Sequence, residues 1–425
     1  MVRAIGPVPD ACGIDFGTSN STAGCVRLAT GQVALLPLED DKLTLPSVVF
    51  FHAEDAHVTY GRAALVDYLA GDEGRLMRSM KSLLGTSLID EHTEVAGRAL
   101  PFRALLAQFI GELKRRAQQA AGRDFSRAVI GRPVFFVDGD PQADRRAEDT
   151  LAGIARAVGF QEVAFQYEPI AAAFAYEAQI TQEELVLVVD IGGGTSDFAL
   201  VRLAPARAGR AERRDDILAS SGVHIGGTDF DKYLSLASVM PMLGMGSRLK
   251  TGLTLPSAQY FNLATWHTIN FAYTKKAWVQ ITELQREAQE KDKLLRLQNL
   301  VTQRAGHWLA MQVEAAKIAL STASETQMNL GRIAPAESLV LRRADFDAAI
   351  TALVETVALN VTGLLRDAGL QPDAVDTVFF TGGSSSVPLL RERIAALLPQ
   401  ARRVEGDLFG SIGTGLALDA MRKFA

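Results

Sequence analysis

The chain has 425 residues, 48% of them apolar and 22% charged, with a formal net charge of −5 at pH 7. That length exceeds what a single hydrophobic core ordinarily fills, and the composition is that of a folded protein rather than a disordered one. No Lys/Arg block or basic helix stands out, which argues against nucleic acid and anionic membrane as partners.

Along the chain, MVRAIGPVPDACGIDFG lacks the apolar core of a signal peptide, and no uninterrupted apolar run reaches the ~18 residues that span a bilayer. The two cysteines, Cys12 and Cys25, form no C-x-x-C pair and read as small buried side chains in a reducing compartment. A soluble cytoplasmic protein is expected. Residues 13–21 (GIDFGTSNS) and 189–197 (VDIGGGTSD) share one punctuation: an apolar strand, an Asp, a Gly/Thr/Ser turn and a second strand (Thr22–Leu28, Phe198–Leu203). The copies lie about 175 residues apart, close to one domain's length, which suggests a duplication into two lobes.

Between them, the pattern predicts a strand over Leu45–Phe51, a helix through Leu65–Leu69 and a helix from Phe102 to about Gln119 with Leu105, Leu106, Phe109, Ile110 and Leu113 on one face. Ala128–Val137 reads as a strand. Asp140-Pro141 reads as an N-cap and first helical position, opening a helix to about Ala157. Val163–Gln166 is a short strand and Ile170–Tyr176 an Ala-rich helix suited to close packing between lobes. Asp231 to about Ser324 reads as nearly all helix, broken once at Met240–Met242 and Gly244–Gly246, with Leu294, Leu297 and Val301 as an apolar stripe. Strand Thr377–Thr381, loop Gly382–Ser386, helix Leu389–Leu398, a short strand and helix Gly410–Phe424 complete an α/β protein.

No Walker loop and no G-x-G-x-x-G after a strand is present. Three Gly-rich turns stand instead: Gly17-Thr18-Ser19, Gly192-Gly193-Gly194-Thr195 and Gly382-Gly383-Ser384. Such turns expose consecutive N–H donors as an anion nest, with neighbouring hydroxyls adding donors, although any one alone is equally a hairpin turn. Asp15 and Asp190 each close a strand before such a turn. Two converging acids suit Mg²⁺, which keeps several waters; alone, either is more often a turn former. Asp197 is a third candidate, equally open to a structural reading. His52, His57, His92, His224, His267 and His307 are scattered, without H-E-x-x-H or Cys/His spacing, and no G-x-S-x-G elbow occurs.

GIDFGTSNS, Tyr167-Glu168-Pro169-Ile170-Ala171-Ala172-Ala173, DIGGGTSD, IGGTDFD at 225–231 and FFTGGSSSVP at 379–388 follow one another as in the ATPase domain of DnaK-type heat-shock chaperones. The chain resembles that family along nearly its whole length, and among its relatives the short YegD-like proteins. The resemblance implies an actin-like (ribonuclease H-like) two-lobed ATPase with a helical insert in the second lobe. Lobe I would be 1–180 (core 1–38 and 101–180, insert 39–100, helix 405–425 returning to it). Lobe II would be 181–404 (core 181–231 and 344–404, insert 232–343).

By the same resemblance Asp15 and Asp190 would hold Mg²⁺ through water. Gly17, Thr18 and Ser19, then Gly192 to Thr195, would form the phosphate loops, with Thr195 also in the catalytic set. Glu168 would stand near the attacking water, and Pro133 would be a hinge. Lys81, in Met80-Lys81-Ser82-Leu83-Leu84-Gly85, would be the catalytic lysine; taken alone it reads as a surface residue. Glu314, Lys317 and Ser321 would meet ribose and adenine, Gly383, Ser384 and Asp407 would lie near the base and cleft, and Gly226, Gly227 and Gly382 would be further nucleotide-binding positions. Two arginines that sandwich adenine in the family are here Ile318 and Ser386, which implies weaker ATP binding or a shifted purine preference.

The expected function is a Mg²⁺-dependent, slow ATP-hydrolysing switch working with ATP/ADP and a client or regulatory protein. The chain ends soon after its last predicted helix, so no peptide-binding domain of its own is expected. A nucleotide-binding scaffold without turnover, an actin-like filament protein and a small-molecule kinase are the alternatives. Oligomeric state is open.

Overall fold

A computed structural model describes residues 10–54, 57–95, 97–137, 139–208, 210, 213–335, 337–407 and 410–424. Residues 1–9 of the N-terminal reading, and residues 408, 409 and 425 of the expected 405–425 segment, lie outside the described residues. The chain divides into two compact units, the first of residues 1–224, 357–385 and 392–425, the second of residues 225–356 and 386–391.

The first unit holds two sheets with one plan. Its first sheet contains β1 (Ala11–Phe16), β2 (Asn20–Val26), β3 (Val33–Leu35), β4 (Arg127–Arg132) and β5 (Glu162–Tyr167). They lie in the order β5-β4-β1-β2-β3, and Thr44–Pro46 also pairs with β2. The second sheet contains β6 (Glu184–Ile191), β7 (Ser196–Leu203), β8 (Ile217–Val223), β9 (Thr377–Thr381) and β10 (Arg402–Glu405), ordered β8-β7-β6-β9-β10. Adding five to each label of the first sheet gives the second. The directions match too: β1–β2 and β6–β7 are antiparallel, while β1–β4 and β6–β9 are parallel. Both central strands are buried along their length, as near-continuous apolar runs require.

α1 (Phe102–Ala121) and α2 (Pro141–Ala157) cover one face of the first sheet. Leu105, Phe109, Leu113, Leu151 and Ile154 join Ile14, Cys25 and Ile130 in one core, and Cys12 and Cys25 are free and buried. Asp140 caps α2 as expected, accepting from the backbone N–H of Gln142 and Ala143 at 3.0 and 2.9 Å. α3 (Glu168–Glu177) is shared by both sheets: Ala171 packs with Ala11, Val129 and Leu416, while Ala172 and Ala173 pack with Val186, Val188 and Ala199. The closing helix Ser411–Phe424 packs alongside it, and Gly415 is needed there because a Cβ would overlap the Ala171 carbonyl.

Several elements differ from the sequence reading. The strand expected over Ala128–Val137 ends at Arg132, because Pro133 has no N–H to continue the ladder. Leu45–Phe51 splits at Ser47, whose N–H donates to the Ser19 carbonyl and whose hydroxyl donates to that of Gly17. β8, with the sequence ILASSGV, was not expected, nor were the strands Val58–Tyr60 and Gly74–Arg78 that flank Val48–His52.

The second unit is mainly helical. It contains α4 (Gly227–Leu234), the helices Ala258–Ala264, Lys275–Glu287 and Lys291–Thr302, and α5 (Gly306–Leu320), followed by a hairpin of Glu325–Asn329 with Ser338–Arg342. Leu294, Leu297 and Val301 are buried, as their spacing predicts. The break near Gly244 is longer than expected, since Gly244, Gly246 and Gly252 all have positive φ and residues 244–257 stay non-helical. A 25-residue helix, Arg343–Asp367, is long and apolar enough by composition to cross a membrane. One side of it, with Phe346, Ile350, Val354, Val357, Val361 and Leu364, is buried in the fold, while Leu359 is exposed.

Two substitutions test these contacts. Gly415→Ala should lower stability by at least about 2 kcal/mol through backbone overlap. Asp140→Ala should cost about 1 kcal/mol, the usual loss of a cap. Denaturant midpoints of the two variants check both.

Candidate phosphate and metal site

The duplicated plan brings two acids to corresponding strand ends. Asp15 pairs in register with Thr22 across β1–β2, and Asp190 with Asp197 across β6–β7. In each case the partner lies seven residues on, just past the Gly-rich turn. Asp190 also pairs with Thr381 on β9, and its Oδ1 is buried without a hydrogen-bond partner. Gly382 adopts φ 78°, open to glycine, and any Cβ there would overlap Asp190 Oδ1 and the Ile191 carbonyl. All three Gly-rich turns therefore border Asp15 or Asp190.

The first two turns face each other. A Cβ on Gly194 would stand 3.4 Å from Thr18 Oγ1, and one on Gly193 would overlap Ser19 Oγ. Gly192 closes its own turn by donating its N–H to the Thr195 carbonyl at 2.9 Å. Hydroxyls and main-chain donors so concentrated, beside carboxylates, suit an anion that arrives with a cation.

Lys81 lies in a short 3₁₀ turn, Met80–Leu83, entered through Ser79 at φ 58° and anchored by fully buried Met80. It is only 8% exposed, against the surface position its composition suggests, and its Nζ donates to Glu168 Oε1. Glu168 opens α3, where the helix N-terminus favours a carboxylate. Gly131 leaves it room, since a Cβ there would stand 3.1 Å from Glu168 Cγ. Asp197 accepts the Val134 N–H at 2.8 Å, tying the segment after Pro133 to the site.

Four buried carboxylates thus share one ammonium. Burial, with Glu168 adding repulsion and Lys81 opposing, pushes Asp15 up to about 7. Burial and Glu168 likewise push Asp197 up to about 6, against the hydrogen bonds from Thr195 and Val134. Asp190 is raised well above the ordinary carboxylate range by burial, Glu168, Asp197 and Asp15. Burial works against the Lys81 ammonium, but Glu168 and Asp15 outweigh it and hold its pKa above the usual lysine value. The excess of negative charge and the orphaned Asp190 Oδ1 fit a hard divalent cation that brings its own waters.

The remaining candidates are distributed as follows. Gly382, Gly383, Ser384 and Asp407 belong to the first unit; Ser384 is buried, and Asp407 is exposed, its carbonyl accepting the Ser411 hydroxyl at 2.8 Å. Gly226, Gly227, Glu314, Lys317 and Ser321 belong to the second unit. There Lys317 is buried, donating to the Gly227 carbonyl at 3.1 Å and pairing with Asp231 at 2.9 Å. Ser386 Oγ stands 3.5 Å from Ser321 Oγ, and Ile318 on α5 is 62% exposed.

Sequence reasoning missed Arg132. Its buried guanidinium lies 5.1 and 5.2 Å from the Phe136 and Tyr167 rings, pairs with Asp144 at 2.6 Å and with Glu148, and donates to the Pro133 and Val134 carbonyls at 3.0 and 3.2 Å. It clamps the wall that carries Glu168 and the Val134 donor. The aromatic and acidic residues around Arg132-Pro133 were the available signal.

The family described as Hsp70 protein matches residues 91–239 and 280–417. The chaperone protein HscA homolog of Shewanella oneidensis is 27% identical over 435 residues, covering 97% of this chain and 58% of its own length. Chaperone protein HscA of Salmonella typhimurium is 28% identical over 433 residues with the same coverage, as is that of Klebsiella pneumoniae. The chain therefore spans 58% of the length of these curated relatives.

The raised carboxyls carry a pH signature. A carboxyl whose folded pKa exceeds its unfolded value stabilises the fold below the unfolded value, and that contribution is lost as pH rises towards the folded pKa. For Asp15 and Asp197 the window runs from the ordinary aspartate value of 3.8 up to about 7 and about 6. Asp190→Asn, which relieves the same repulsion, should therefore raise the melting temperature of the ligand-free protein at pH 8 by several degrees and change it little at pH 5. Calorimetry in the presence of a chelator reads both values.

Proposed function

The chain belongs to the Hsp70 family, and we propose that it is an ATP-binding, ATP-hydrolysing molecular switch of the chaperone type. The observation that carries this reading is the buried Lys81–Glu168 pair among Asp15, Asp190 and Asp197, beside the facing turns of Thr18-Ser19 and Gly193-Gly194. The division into lobe I (1–180) and lobe II (181–404) is part of the proposal and rests on the two matching sheets.

In this mechanism Gly17, Thr18, Ser19 and the Gly192–Thr195 turn, which Gly192 closes with its own N–H, bind the phosphates through the remaining N–H and hydroxyl donors. Asp15 and Asp190 would hold Mg²⁺, which would neutralise phosphate charge when bound. Glu168 accepts a hydrogen bond from the attacking water and orients it. Lys81, held by Glu168, offers its remaining donors to the charge that develops on the γ-phosphate. Asp197 fixes the Val134 segment and Thr195 next to these groups. Gly226, Gly227, Glu314, Lys317, Ser321, Gly382, Gly383, Ser384 and Asp407 are assigned to nucleotide binding by the same family resemblance.

Partners follow the same logic. The matching relatives are chaperones by name, so a client or regulatory protein is the expected partner; a cytoplasmic setting is part of the same proposal. A nucleotide-binding scaffold without turnover is the second reading. It is favoured by exposed Ile318 and by Ser386, neither of which offers a guanidinium plane to a base.

Single-turnover ATP hydrolysis with Mg²⁺ tests the proposal. Wild type should turn over, while Lys81→Ala and Asp190→Ala should each slow the step by about 100-fold or more, with Lys81→Ala still binding nucleotide. ATP bound by wild type but never hydrolysed would leave only the scaffold. A parallel titration should find ATP binding weak and poorly discriminated from GTP; tight, strongly adenine-selective binding would contradict the role given to Ile318 and Ser386.

A further inference from the structure

Among the described residues, one cluster of metal-ligating side chains lies outside the carboxylate site: His52, Asp67 and Asp72. None stood out in the sequence, where the histidines are scattered. The fold collects them around the edge of a small sheet. His52 ends the strand Val48–His52, and Asp67 sits in the helix Arg62–Ala70. Asp72 follows the left-handed Gly71 that stops that helix, its N–H donating to the Asp67 carbonyl at 3.3 Å.

Both imidazole nitrogens of His52 face a carboxylate: Nε2 is 3.3 Å from Asp67 Oδ2, and Nδ1 is 3.8 Å from Asp72 Oδ2. A single ion is bound through one ring nitrogen, and Nε2, the nearer to a carboxylate, is the one placed for it. The three ligand atoms lie within 4.8 Å of one another. Bonds of about 2.0–2.2 Å to a tetrahedral ion put ligand atoms about 3.3–3.6 Å apart, so the His52–Asp67 edge already has the right length. Asp72 lies by Nδ1 and is half-exposed, so its side chain would have to turn toward the Nε2 side to complete the set.

The surroundings hold the first two ligands in place. Thr59 Oγ1 donates to Asp67 Oδ2 at 2.7 Å, and the Phe50 ring meets the His52 ring edge-on at 4.7 Å. Outer hydrogen bonds of this kind orient metal ligands and sharpen affinity. One imidazole with two carboxylates balances a 2+ charge and favours zinc-like ions over Mg²⁺.

We infer that His52, Asp67 and Asp72 form a binding site for a divalent transition ion, Zn²⁺ being the natural probe. Three protein ligands leave a position for water. The bound ion would fasten the strand Val48–His52 to the end of the helix Arg62–Ala70. This inference stands apart from the ATPase reading.

Metal-stripped full-length chain, with Mg²⁺ present in excess to occupy hard carboxylate sites, is titrated with Zn²⁺ and then with Co²⁺. Wild type should bind one equivalent, raise its melting temperature, and show the visible absorption of low-coordinate Co²⁺. His52→Gln should abolish the signal, and Asp72→Asn, at a half-exposed position that leaves the fold intact, should weaken binding about tenfold or more. No binding by wild type, or binding that both variants leave unchanged, overturns the assignment.

Discussion

The crowding of carboxylates around one ammonium is the constraint on which the rest of this structure depends. Asp15, Glu168, Asp190 and Asp197 are buried with Lys81 as their only close cation among the described residues. Such an arrangement repels itself and persists only where the backbone leaves it no alternative. That is how it is built. Two acids end central strands buried on both faces, a third starts a helix packed against both sheets, and the fourth is held by the Val134 N–H.

The two halves are alike in strand order but not in charge. At the position seven residues beyond the strand-end acid, the first half has Thr22 and the second has Asp197. A neutral hydroxyl on one side and an anion on the other make the second half the more strained electrostatically. The third Gly-rich turn lies against that half, where Gly382 lets the backbone close over Asp190. The two halves share their geometry, while Asp197 adds to the repulsion on Asp190 after burial and Glu168.

Much of this was readable from local chemistry. The Asp140-Pro141 cap, strand Thr377–Thr381 and the repeated Asp-then-Gly turns depend on residues close in sequence, and each formed where expected. Lys81 is the opposite case. Its burial depends on Glu168, 87 residues away, and no local pattern announces such a pair. Arg132 was hidden for the same reason, its Tyr167 ring and Glu148 partner being supplied by other elements. β8 escaped because ILASSGV has two serines where an apolar alternation is usual, and its partner β7 supplies the context that makes it a strand. The family resemblance named Lys81 where periodicity could not.

The closing helix has a bearing on how the molecule is made. The backbone of Ala417 rests on Gly13, and Gly415 rests on Ala171. A strand from the beginning of the chain is therefore covered by a helix from its far end. During synthesis the N-terminal sheet emerges early with one face bare, and it must wait for nearly the whole described chain before that face is sealed. Such a connection closes a very long loop, which slows folding and prolongs the exposure of apolar surface. Until Ser411–Phe424 has been made, that face has nothing of this helix to cover it.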